Sequence, residues 1–194
     1  MPAALRMLGW SLVLGIGASL WGDRLAQALL PLWRIEIPLV DAHWRVERLW
    51  IDHEGADQVV RVLIGLRGCL KVGSGLVCDS PEPLGNASTL VGNLTLPSVL
   101  LLALVLAWPA RSLREWGSRG LCGLLALLLL WMVDLPLTLL AAFWTVLRDA
   151  LGHGQPSLLV AWADFLQAGG RPALALALAA ASIAGGQALA APRS

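Results

Sequence analysis

Tyrosine is absent from this 194-residue chain, histidine and cysteine number three each, and charged side chains make up only 14 % of it. Each scarcity closes off a class of protein. So few charges against 57 % apolar residues, with a mean hydropathy of +0.71, are not the composition of a soluble domain. A net charge of +1 with scattered arginines excludes a basic nucleic-acid patch. No phosphate-binding GxxxxGK loop, no HExxH and no GxSxG occurs. His43 and His53 lie near Asp41, Asp52 and Glu54, but no pair has the helical i, i+4 or CxxC spacing of a metal site. These side chains read as solvated surface. No catalytic, cofactor-binding or metal-ligating residue is expected.

What the chain does have is long apolar runs. A membrane-spanning helix needs about 20 predominantly apolar residues. Residues 7–22 approach that length and are completed by Ala3–Leu5 and Leu25. Residues 94–108, entered through Val91, form a second run, residues 121–147 a third, and residues 172–191 a fourth. The expected fold is mainly α and integral to the membrane. It has four transmembrane helices and a small extracytoplasmic antiparallel β segment between helices 1 and 2. Three regions follow: a signal-anchor helix at 1–32, a β-rich segment at 33–90 and a three-helix membrane region at 91–194. Gly185 and Gly186 in the Ala/Leu-rich fourth run would let that helix approach others closely.

Arginine placement sets the expected orientation. Arg6 precedes the first helix, Arg111, Arg114 and Arg119 fall between the second and third, and Arg193 follows the fourth. Residues 34–82 instead carry six basic against eight acidic residues, and 148–171 two of each. Both termini and residues 109–120 are therefore expected in the cytoplasm, with 33–90 and 148–171 outside a bacterial inner membrane. Ala26-Gln27-Ala28 has the form of a signal-peptidase site, but Trp21, Asp23 and Arg24 intervene between it and the apolar run. A retained anchor is expected.

The outer segment carries period-two patterning. Trp33, Ile35 and Ile37 alternate with Arg34 and Glu36 up to Pro38, which predicts a strand. A less regular one is predicted at 44–51, then a turn at 53–57. The next strand carries Val60, Val62, Ile64 and Leu66 on one face and Val59, Arg61 and Leu63 on the other. A two-residue turn at Gly73-Ser74 pairs Val72 with Gly75, Lys71 with Leu76 and Leu70 with Val77. That register brings Cys69 opposite Cys78, inside disulfide reach. Extracytoplasmic placement permits the oxidation. Cys122 is left as a small packing residue.

Asp134 is the one acid in the third run, and an ionisable group there invites a reading of its own. By helical rise it lies about 20 Å, and Arg24 about 27 Å, from the inner ends of their helices. The two could pair in the outer half of the bilayer. Alternatively Asp134 is protonated or bonds Thr138 one turn on, or it serves a proton or substrate path. Beyond the third run, residues 157–167, opened by Pro156 and ended by Gly169-Gly170, read as a short interfacial helix. Trp108, Trp116, Trp144 and Trp162 read as interfacial anchors. Asn86-Ala87-Ser88 and Asn93-Leu94-Thr95 fit the glycosylation triplet, a pattern common by chance.

Several stretches carry a family resemblance: Gly92-Asn93-Leu94-Thr95-Leu96-Pro97, then residues 100–108 with Pro109-Ala110-Arg111, and Asp134-Leu135-Pro136 leading to Phe143-Trp144. With one N-terminal helix and a small outer β segment, the chain resembles exosortase-associated small membrane proteins, the exosortase H-associated type. It departs from them in lacking tyrosine before the second helix. The resemblance implies an accessory protein of an extracytoplasmic protein-sorting system, partnered by a membrane protein such as an exosortase. No small-molecule ligand or nucleic acid is implied. The exosortase enzyme itself is disfavoured, because its Cys/Arg/His site would need Cys122 beside Arg148 and His153. The 26 positions from Cys122 to Arg148 amount to about 39 Å of helix. A small subunit of a transporter or membrane enzyme complex, with Asp134 in a polar path, is the alternative, and an external sensor a third.

Overall fold

The computed structural model describes residues 3–72, 75–79, 82–151 and 157–191. Helix α1 (Ala3–Val40) leads into strands β1 (Trp44–Glu54), β2 (Asp57–Leu66), β3 (Cys69–Val72), β4 (Gly75–Cys78) and β5 (Gly85–Leu90). Helices α2 (Val91–Ala107), α3 (Leu113–Leu151), α4 (Leu158–Phe165) and α5 (Arg171–Ala190) follow. A kink within Leu166–Gly170 separates α4 from α5, and Gly169 with φ 103° supplies the non-helical backbone there. The fold is mainly helical with a small antiparallel sheet between the first two helices.

Three helical stretches, Ala4–Val40, Leu113–Asp149 and Leu158–Ala190, are long and apolar enough to cross a membrane. Helix α2 is mostly apolar, but its 17 residues extend only about 25 Å, short of a hydrocarbon core of about 30 Å. Such helices make this a multi-pass membrane protein.

Two local expectations need correction. Residues 33–38 are not a strand, because α1 continues through them to Val40 with Pro31 and Pro38 inside. Leu29, Trp33 and Ile37 are buried while Arg34 and Ile35 are exposed, which is the i, i+4, i+8 spacing of one helical face. Five alternating residues satisfy either period, and burial decided for the helix. The other correction concerns the arginines before the third helix. Helix α3 begins at Leu113, so Arg114 and Arg119 are helical rather than part of a connection.

The chain divides into two compact units. The first combines the part of α1 up to Gly22 with Asn93–Trp131 and the chain from Gly169 onward. Its core is Leu101 and Val105 of α2, Ala126 and Leu130 of α3, and Ala175 and Ala179 of α5. Small residues on α5 facing leucines on α2 and α3 permit the close approach that membrane helices use in place of a hydrophobic driving force.

The second unit comprises Asp23–Gly92 and Met132–Ala168. Its sheet has the order β1-β2-β5, all antiparallel, and β3-β4 form a separate hairpin. On the central strand β2, Val60, Val62, Ile64 and Leu66 are buried while Arg61 and Leu63 are half-buried, as the alternation predicts; Val59, expected on the face of Arg61 and Leu63, is buried as well. Strand β1 carries a bulge. Val46 pairs with Ile64 and Arg48 with Leu63, which leaves Glu47 as the extra residue. Glu47 turns back to accept from Arg45 Nε at 2.5 Å, and this pair lies over Gly65, where a Cβ would meet both side chains at 3.1 Å. The bulge and its charges blunt an edge that would otherwise offer free backbone groups to another chain.

Candidate functional site

The first unit holds a buried ion pair. Ser112 caps the start of α3, its Oγ accepting the Glu115 N–H at 3.1 Å. Glu115 Oε2 in turn accepts the Arg111 N–H at 2.9 Å. One turn on, the almost wholly buried Arg119 makes a salt bridge to Glu115 Oε1. Arg119 Nη1 also donates to Trp108 O at 2.7 Å and Nη2 lies 3.4 Å from Pro109 O. These carbonyls end α2, where no helical N–H remains to satisfy them. Arg119 thereby fastens the start of α3 to the end of α2.

Helix α5 closes on the same residue. A Cβ on Gly186 would sit 2.6 Å from Arg119 Cα, and Ser118 Oγ donates to Gly186 O at 2.8 Å. Ser182 Oγ, bonded to Leu178 O, lies 3.3 Å from Cys122 O, and a Cβ on Gly185 would meet Cys122 Sγ at 3.5 Å. Cys122 is a half-buried free thiol within this packing. The pairing of small residues with backbone oxygen is the contact expected between close membrane helices.

The second unit is held at Asp41, just past the end of α1. Asp41 Oδ1 accepts from His43 N at 3.1 Å and lies 2.8 Å from His43 Nδ1. Oδ2 accepts from two indoles, Trp44 Nε1 at 3.0 Å and Trp144 Nε1 at 3.2 Å. Trp44 is wholly buried, with its ring 5.8 Å from Phe143 and 5.9 Å edge-on from Trp144. Burial pushes the Asp41 carboxyl up, but the hydrogen bonds from His43 and Trp144 outweigh it and hold the group below its usual range. One carboxylate therefore links the end of α1, the start of β1 and the C-terminal part of α3. Trp144, half-buried, donates this hydrogen bond within the fold.

Cys69 and Cys78 form a disulfide with Cα atoms 3.9 Å apart, in the predicted register from Val72–Gly75 to Cys69–Cys78. The Gly73-Ser74 turn lies outside the described residues. The hairpin is tied back by Asp79 N–H to Gly68 O at 2.8 Å and by Arg45 Nη1, 3.6 Å from Asp79 Oδ1. Asp134 is buried on α3 and accepts from Thr138 Oγ1 at 3.3 Å, the local bond weighed for it from sequence. Arg24 lies exposed on α1, next to Asp23, which accepts from Gln58 Nε2 of β2. His43 and His53 are exposed, and no group of three or more metal-capable side chains occurs among the described residues. Pro156 and His153 lie outside the described residues.

Compared with known proteins, the chain matches no family model, no curated protein and no solved structure.

Proposed function

We propose that this chain is a non-catalytic membrane accessory or assembly protein of an extracytoplasmic, exosortase-like sorting system. One observation carries the reading: the Glu115–Arg119 pair and Asp41 are spent on architecture. Arg119 pairs with Glu115 and donates to the Trp108 carbonyl at the end of α2, and Asp41 is occupied by His43, Trp44 and Trp144. Such side chains position surfaces rather than transform a substrate. In this proposal the sheet and stapled hairpin lie outside a bacterial inner membrane, where the disulfide is stable, and both termini lie in the cytoplasm. The partner is an integral membrane protein of the exosortase kind.

A second reading draws on buried Asp134, since an ionisable group on a membrane helix is the feature expected of a polar path. The chain would then be a small subunit of a transporter or membrane enzyme complex. Arg24 remains a proposed partner for Asp134 in either case. Affinity purification from gently solubilised native membranes separates the readings. Recovery of an exosortase-type partner supports the first, and recovery of transporter subunits the second. Recovery of the chain alone defeats both.

A further inference from the structure

A cavity of about 360 Å³ opens in the first unit beside the start of α3, lined by Arg111, Ser112, Glu115, Gln187, Ala190 and Ala191. It is large enough for a lipid headgroup. Its lining offers hydrogen-bond donors from Arg111, Ser112 and Gln187 beside the Glu115 carboxylate. Both Glu115 oxygens are engaged, Oε1 in the salt bridge to Arg119 and Oε2 by the Arg111 N–H, so neither is left to meet a ligand. Ser112 Oγ already accepts from Glu115 N, so its proton remains to be donated. The exposed Arg111 guanidinium takes part in none of the ion pairs among the described residues, and the Gln187 amide is exposed beside it.

The surroundings give the depth. Leu113, Trp116 and Leu189, close in sequence to the lining residues, are exposed apolar side chains, and Trp108 is half-exposed at the end of α2. Exposed indoles and leucines close in sequence to an arginine are the side chains of a membrane–water boundary, where phospholipid phosphates reside. We propose that this cavity binds a phosphate group, carried by an acidic phospholipid, with Arg111, Ser112 and Gln187 as its donors. The apolar side chains nearby would meet the upper acyl chains.

The test uses the full-length chain, purified in detergent and offered equal amounts of phosphatidylglycerol and phosphatidylcholine, with retained lipid read by native mass spectrometry. Phosphatidylglycerol should be retained preferentially. Arg111→Gln should lower that retention roughly fivefold, as expected for one arginine near an anionic headgroup, and Gln187→Leu should lower it as well. Arg114→Gln, an exposed arginine outside the cavity lining, should leave it unchanged. Unaltered thermal melting of each variant shows that the fold survives. Retention that withstands excess inorganic phosphate assigns the site to lipid. Displacement by phosphate overturns the lipid assignment and leaves a free-phosphate site. Equal retention of the two lipids, or equal losses in Arg111→Gln and Arg114→Gln, overturns the proposal.

Discussion

Replacing Gly186 by alanine tests how tightly α5 is seated on α3. The new methyl would lie 2.6 Å from Arg119 Cα, 2.8 Å from its Cβ and 2.9 Å from its N. These are backbone-proximal atoms that cannot rotate away, so relief requires the helices to separate by about 1 Å to regain ordinary carbon contact at roughly 3.5–4.0 Å. The same displacement would stretch the 2.8 Å bond from Ser118 Oγ to Gly186 O beyond hydrogen-bonding range. Overpacking costs about 1–3 kcal/mol and the lost bond about 0.5–1.5 kcal/mol. Against this, alanine gains about 1 kcal/mol of helix propensity over glycine. The net expectation is a destabilisation of about 0.5–3.5 kcal/mol, the sum of those ranges. Gly185→Ala is the control, because its Cβ meets only Cys122 Sγ at 3.5 Å, an ordinary contact. That variant should be neutral or slightly stabilised. Unfolding in mixed micelles, followed by tryptophan fluorescence, compares the two. Equal stability of the Gly185 and Gly186 variants would refute the close-packing argument.

Other outcomes follow from the second unit and from α3. The Asp41 carboxyl is depressed below its ordinary value of 3.8, so its contribution is fully present above that pH and is lost as pH falls through the lower folded value. Trp144→Phe keeps the ring but removes one donor to a charged acceptor, and should cost about 1.5–3 kcal/mol at neutral pH and less below pH 3.8, read by near-ultraviolet circular dichroism. Reduction of Cys69–Cys78 should destabilise the hairpin by about 2–3 kcal/mol, and peptide mapping that finds both thiols free in freshly isolated membranes would remove that claim. Arg119→Met should cost about 3–5 kcal/mol by leaving Glu115 buried without its cation; unchanged melting would mean that the pair does not fasten α3. For Asp134→Asn, lost abundance that is partly restored by exchanging Arg24 and Asp134 would establish the pair, whereas normal abundance with lost complex activity would favour the polar path.

What could be read from the sequence was mainly local. Strand β2 declared its faces because four β-branched or leucine residues recur at period two, and the β3–β4 register followed from one turn position. The extension of α1 through Trp33 and Ile37 was hidden because residues 33–38 fit both periods, and only knowing which side is buried separates them. The hold on Asp41 was invisible for another reason. Its donor Trp144 is 103 positions away, and nothing local pairs them. Arg119 was legible in principle. Ser112-x-x-Glu115 is a helix-start signature, and starting α3 there places Arg119 one turn inside, at i+4 from Glu115. Counting that arginine only as an orientation charge concealed its role as an anchor.

The central claim is that this chain supports a membrane partner rather than performing chemistry itself. The most direct measurement is quantitative membrane proteomics after deletion of its gene, together with processing of the sorted substrates. The account predicts that the exosortase-type partner falls in abundance, that substrate processing falls with it, and that raising partner expression restores processing without this chain. Normal partner abundance with processing abolished, and no rescue by added partner, would contradict it.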